Sequence, residues 1–220
     1  VTRLTRALRR RPDHRPGVHR SAERGQGLVE FAMVVPLFMI LLLGLLEFGF
    51  VFDHAMTLNY ATREGARSGA AFAAGNSTTM PCATSTDVDK HVVAAIQRVL
   101  KAPGSPISID QINSIQIYKA SSSGGVSGGQ TNVWDYNAGS GPMVDGAPLD
   151  FSQTSQGWNA CTRDNSWSGG VAPDSLGVSI SYQYQYVTPL AAAMQFFGPV
   201  GGSGTLTISD RTVMALNPTD

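Results

Sequence analysis

From Phe31 to Phe52 the chain reads FAMVVPLFMILLLGLLEFGFVF, in which Glu47 is the single charged residue. As a helix these 22 residues extend about 33 Å at ~1.5 Å per residue, the thickness of a bilayer's hydrocarbon core. Lipid offers the backbone no hydrogen-bond partners, so a spanning segment must satisfy its peptide groups internally, as a helix does. The competing reading is a cleaved secretory signal, whose apolar core is shorter and is followed closely by small residues at the cut. Here the run ends in Asp53-His54, and Ala71-Phe72-Ala73, which fits a cleavage pattern, lies far downstream. A retained transmembrane helix is therefore expected, with membrane lipid as its first partner.

Charge sets the expected orientation. Residues 1–25 carry eight arginines against Asp13 and Glu23, a net +6, while the rest of the chain carries −6. Arginine resists translocation, so the basic segment is expected to stay in the cytoplasm and the C-terminal part to face outward, giving a single-pass protein of the cell membrane. Nucleic acid is not an expected partner: Pro12, Pro16 and Gly17 interrupt any continuous basic helix, and arginine runs alone are unspecific.

Several residues interrupt the apolar pattern. Pro36 lacks a backbone donor and is expected to kink the helix or loosen one turn. Glu30 stands directly before the apolar run, where a carboxylate suits a helix N-terminus. Glu47 either reaches interfacial water or pairs with a neighbouring subunit, since membrane carboxylates tend to face protein. Residues 55–74 read AMTLNYATREGARSGAAFAA, without proline, and predict that the helix runs on as a stalk to about Ala74. Within it Gly65 and Gly69 form a small-xxx-small pair that permits close helix contact.

These residues together carry a resemblance. Arg24-Gly25-Gln26-Gly27-Leu28-Val29-Glu30-Phe31, the apolar run with Pro36, Gly44, Glu47 and Gly49, and then Ala61-Thr62 followed by Arg63, Glu64, Gly65, Ala66 and Arg67 resemble the TadE-like family. These are minor pilin-like proteins (pseudopilins) of the tight-adherence, Flp-type pilus system of bacteria and archaea. The resemblance covers residues 24–70. It implies cleavage by a prepilin peptidase after Gly25, which makes Gln26 the first mature residue, Glu30 the fifth and Phe31 the aromatic residue that follows. It also implies that Glu30 pairs with the N-terminal amine of an adjacent subunit, with other pilins or pseudopilins as partners through the N-terminal helix. Glycine at the scissile bond suits this, because a chain without a side chain there enters a protease site unhindered.

Downstream the composition changes. Gly75 to Thr79 reads as a turn-rich linker. Thr86 or Asp87 caps a predicted helix from about Val88 to Lys101, with Val88, Val92, Ala95, Ile96, Val99 and Leu100 on one stripe. Asp87 and Asp89 form a D-x-D, read here as a cap plus a charge favourable to the helix dipole and not as a metal site. Strands are predicted at Ile107–Tyr118, interrupted at Asp110-Gln111. A second is predicted where Val178, Ile180, Tyr182, Tyr184 and Tyr186 alternate with polar residues, and a final strand or pair of strands over Thr205–Leu216. The tyrosine row reads as a packed sheet face. The tract from Ser121 to Gly170, rich in Gly, Ser, Asn and Asp and containing Trp134, Trp158 and Trp167, is expected to be loop. Thr188 to Phe197 predicts a short helix.

The fold class expected is α+β: a long N-terminal transmembrane helix extending into a stalk, then a small antiparallel-sheet domain with one or two helices, pilin-like in outline. The expected divisions are a basic leader at 1–25, helix and stalk at 26–74 with the membrane core about 31–52, and an extracytoplasmic domain at 75–220. Cys82 and Cys161 both lie after the apolar run, in an oxidising space on this topology. They form a disulfide worth roughly 3–5 kcal/mol or stand as two buried thiols; the Gly-rich surroundings favour the bond.

No catalytic residue and no cofactor is expected. The histidines are His14, His19, His54 and His91, and the chain contains no G-x-S-x-G, H-E-x-x-H or phosphate-binding loop, which argues against a membrane-anchored enzyme. The leading expectation is a minor pseudopilin in pilus assembly. The alternatives are an unprocessed single-pass assembly factor and a binding domain secreted after signal cleavage.

Overall fold

The computed structural model describes residues 21–71, 85–166, 172–189, 192 and 205–216. The basic segment, Cys82, Trp167 and most of the helix predicted over Thr188–Phe197 lie outside the described residues. The chain divides into two compact units, Val1–Leu42 and Leu43–Asp220.

A single long helix, α1 (Ser21–Ala71), begins in the first unit and runs through Pro36. From Gly25 to Leu42 its side chains are exposed, with Val35 and Ile40 half-buried. A helix apolar on every side belongs in a large core or in a membrane, and this stretch is not buried in a core. Among the described residues it is the one helix long and apolar enough to cross a membrane.

The second unit is an α+β fold in which helices pack on an antiparallel sheet. It comprises the rest of α1, α2 (Ser85–Leu100), β1 (Ile112–Ala120), β2 (Val126–Tyr136), β3 (Met143–Val144), β4 (Ala147–Pro148), β5 (Phe151–Gln156), β6 (Ser175–Gln185) and β7 (Thr205–Ala215). Five strands form one sheet in the order β5-β2-β1-β6-β7, and β3 and β4 form a separate pair. Every neighbouring pair is antiparallel.

The apolar parity of each strand decides which face is covered. On β6, Leu176, Val178, Ile180, Tyr182 and Tyr184 are buried, while Gln183 and Gln185 on the other parity are exposed. The tyrosine row is thus a packed face as far as Tyr184, as its alternation predicts. Ile115 and Ile117 of β1, Trp134 of β2 and Phe151 of β5 join the same core. From the helices come Leu58, Ala61 and Ala66 of α1 and Val92, Val93, Ile96 and Leu100 of α2. Gly177 of β6 stands opposite Tyr118 of β1. A Cβ there would meet the Tyr118 ring at 2.3 Å, so glycine lets the ring lie across the neighbouring strand.

Two expectations change here. The segment predicted as a stalk, residues 55–74, is not a bare rod as far as Ala71: Leu58, Ala61, Ala66 and Ala70 are buried, because small residues recur at helical spacing and let the helix settle on its neighbours. The tract from Ser121 to Gly170 is not one long loop, since it holds β2, β5 and the β3–β4 pair. Its Gly and Asn content lowers strand propensity, but β2 is gripped on both sides, by β1 and by β5. Ile109–Gln111 is a short 3-10 turn, where Asp110-Gln111 was expected to interrupt the strand.

Candidate functional site: a carboxylate clasp on the long helix

The acidic residue of the apolar run belongs to the second unit. Glu47 is only 3% exposed, although Leu45, Leu46 and Phe48 beside it are open. Its carboxylate accepts hydrogen bonds from the backbone N–H of Val187 at 3.0 Å and of Thr188 at 2.9 Å. The hydroxyls of Tyr184 and Thr188 also donate to it. A buried carboxylate without such donors would be costly. Both alternatives read from the sequence, interfacial water and a neighbouring subunit, are replaced by donors from the end of β6 in the same chain. Burial, and after it the bond to Glu47, pushes the Tyr184 phenol's pKa up.

One helical stripe continues the contact along α1. His54, a turn or two beyond Glu47, is 8% exposed. Its Nδ1–H donates to the Phe50 carbonyl at 2.7 Å, and its ring lies edge-on to Tyr184 with centroids 4.9 Å apart. Further on, Asn59 Nδ2 donates to Asp210 Oδ1 at 3.2 Å, and the Thr62 hydroxyl donates to Asp210 Oδ2. Thr62 also meets the Thr212 hydroxyl at 3.1 Å. The helix is thereby tied to β7 as well as β6.

Gly65 and Gly69 complete the seat. A Cβ on Gly65 would lie 2.6 Å from Ile96 Cγ1 and 3.5 Å from Val178 Cγ1; one on Gly69 would lie 2.9 Å from Leu176 Cδ2 and 3.2 Å from Val92 Cγ2. The small-xxx-small pair therefore serves contact within the chain, admitting α2 and β6 against α1. Gly65 and Ala66 of the Arg63–Arg67 block face inward, whereas Arg63 and Arg67 are exposed and Glu64 is half-buried. Glu64 and Arg67 line a shallow groove with His91, Arg98 and Asp145.

A second buried polar cluster holds α2 to the sheet. Asp89 and Arg163 are each fully buried and lie 2.8 Å apart. Asn132 Nδ2 donates to Asp89 Oδ2 and to the Trp158 carbonyl, both at 2.7 Å, and the Arg163 guanidinium lies 4.5 Å over the Trp158 ring. Burial drives the Asp89 carboxyl upward, with the Arg163 charge opposing it. The expectation that Asp89 serves as a helix-terminal charge is corrected: it faces the core. The helix α2 begins at Ser85 and not at Val88, so Thr86 and Asp87 lie inside its first turn and neither caps it; Asp87 has Lys90 Nζ at 3.6 Å. Among the described residues no three His, Cys, Asp or Glu side chains are grouped as a metal would need.

The other anticipated residues are spread along the chain. Gly25, Gln26, Glu30 and Phe31 are exposed on α1, and Gln26 Nε2 donates to Glu30 Oε1 at 3.1 Å. Gly44 and Gly49 have nothing within 4 Å of a notional Cβ. Cys161 sits in the short turn Ala160–Thr162 and is not a free thiol. Sequence reasoning missed Arg163, Asn132 and Tyr184 as partners. The available signal was the acid itself: a lone carboxylate in an apolar run demands donors.

The architecture defines a class: an α+β domain built on the second half of a helix whose first half suits a membrane. The family model described as TadE-like protein matches residues 25–67, so the resemblance read from the residues holds over that segment. No curated protein and no solved structure matches the chain.

Proposed function

We propose that this chain is a membrane-anchored minor pseudopilin that takes part in assembling a tight-adherence, Flp-type pilus. The observation that carries the reading is the TadE-like match over residues 25–67, which takes in the candidate cleavage glycine, the apolar run and the Glu64-Gly65-Ala66 block. The basic segment stays in the cytoplasm and the second unit faces outward. A prepilin peptidase cuts after Gly25, and the helix then meets other pilins or pseudopilins. The cut requires the first two turns of α1 to open, and Gly25 and Gly27, poor helix formers, favour that. Glu30, released from Gln26, is then available to an adjacent subunit's amine. The signature contains no catalytic group, and the role is structural. Cys82 pairs with Cys161 once outside the cytoplasm.

The test is the intact mass and N-terminal peptide of membrane-extracted protein, from cells with and without a prepilin peptidase. A peptidase-dependent start at Gln26, intact or cyclised with loss of ammonia, supports the proposal. An uncut chain favours an unprocessed assembly factor. A start beyond Phe52 overturns the anchored reading. The same sample, alkylated without reductant, reports the disulfide: unmodified cysteines are expected.

A further inference from the structure

The clasp on Glu47 fixes more than a carboxylate. It holds Val187 and Thr188, at the end of β6, level with position 47 of α1. Around that level the second unit presents an apolar surface: Leu45 is 72% exposed, Phe48 67%, Phe52 56% and Val187 63%. Tyr186 stands at its edge, its ring 6.0 Å from that of Tyr184. Contiguous apolar surface of this kind marks an interaction site.

Its distribution identifies the occupant. Successive helix residues turn by about 100°, so Leu45, Leu46, Phe48, Phe50 and Phe52 spread over roughly 200° of the circumference of α1, more than one face. Only the sector of Glu47, Val51 and His54, which faces the end of β6, is turned inward. A protein partner covers one face of a helix; acyl chains surround it. The exposed residues also continue without a charge into the apolar run at Leu41–Leu46. Glu47 does not oppose a lipid setting, because its donors come from its own chain and leave no carboxylate oxygen facing outward.

The geometry points to a membrane seat: the outer domain sits directly on the bilayer, with Leu45, Phe48, Phe52 and Val187 in contact with lipid and Tyr186 at the polar interface, where amphipathic rings settle. The inference rests on the membrane-spanning reading of α1. It moves the membrane boundary from a helix alone to a helix and a strand end together. It also gives the clasp a purpose, since it lets the strand end enter the interface without a bare acid beside it.

Photocrosslinking of the full chain in phospholipid vesicles tests this, with benzoylphenylalanine placed singly at exposed positions. Phe38, inside the apolar run, is the reference for anchoring, and Thr154 of β5 is the aqueous control. Lipid adducts at Val187 and at Phe52, at yields comparable with Phe38 and well above Thr154, are the expected result. Adducts at Phe38 with none at Val187 and Phe52 overturn the seat and leave the anchor intact. Crosslinks at Val187 and Phe52 to a second copy of the chain overturn it in favour of protein contact. Absence of adducts at Phe38 sinks the anchored reading and the seat with it. Two independent positions protect the test against a local effect of either label.

Discussion

Gly65→Ala should destabilise the second unit, although alanine is the better helix former. In an exposed helix the change gains about 1 kcal/mol. Here the new methyl would stand 2.6 Å from Ile96 Cγ1 and 2.8 Å from Cδ1, well inside ordinary contact. Ile96 is fully buried and has little room to withdraw. Overpacking of this kind costs roughly 1–3 kcal/mol, so the net loss is about 0–2 kcal/mol after the propensity gain. Gly49→Ala isolates the steric part, because a Cβ there meets nothing within 4 Å. The two variants should differ by about 1–3 kcal/mol, with the propensity gain common to both.

The assay is urea unfolding of the detergent-solubilised full chain, followed by the fluorescence of buried Trp134 and Trp158. Ile96→Ala removes the obstructing atoms at a cost of about 2–5 kcal/mol. In that background the added methyl fills space instead of clashing, so Gly65→Ala should become neutral or stabilising. A coupling of at least about 1 kcal/mol between the two sites is expected; additivity within about 0.5 kcal/mol would refute the close-approach argument.

Three further outcomes follow from the same contacts. Glu47→Gln turns an acceptor into an NH2 group facing fixed backbone donors of Val187 or Thr188. The stranded N–H should cost about 1–3 kcal/mol in urea unfolding. Arg163→Met leaves the Asp89 carboxylate buried and unpaired and should cost about 3–5 kcal/mol, while the double variant with Asp89→Leu should recover most of it. The Lys101 ammonium, with help from Gly139, holds the Asp150 carboxyl below the usual range. A depressed carboxyl stabilises above its unfolded pKa, about 3.9, and that contribution disappears as pH falls through the folded value. Wild type should therefore exceed Asp150→Asn by up to about 1 kcal/mol near pH 6, with the gap closing as pH drops below about 4.

What the sequence discloses depends on how far apart the interacting residues are. The apolar run and the helix at Val88–Lys101 rest on local periodicity, and α2 runs Ser85–Leu100. The alternation from Val178 to Tyr184 needs no partner to be seen, and β6 bears it out. β2 was opaque because Gly128 and Gly129 take positive φ and Ser, Gln and Asn dilute its pattern. Only Trp134 and Tyr136 hinted at an inward parity. The clasp and the Asp89 cluster were invisible for another reason: Tyr184 is 137 residues from Glu47, and Arg163 is 74 from Asp89. Burial of an acid predicts that donors exist, but topology chooses which.

The matched segment, residues 25–67, therefore joins two kinds of physical demand in one continuous helix. From Phe31 to Leu46 the side chains need only be apolar, because no core constrains their shape, and Gly44 has open space around it. From Glu47 onward one stripe must fit a particular surface. An acid must find its donors, His54 must lie against tyrosines, and Ala61, Gly65 and Ala66 must be small. Substitution tolerance should change at that point, from conservation of character to conservation of size. A helix that served only as an anchor would place no such demand on Gly65. Nor would one that served only as core leave Phe48 and Phe52 open. The pairing of both features around Glu47 is what ties the folded unit to the helix segment that a bilayer would surround.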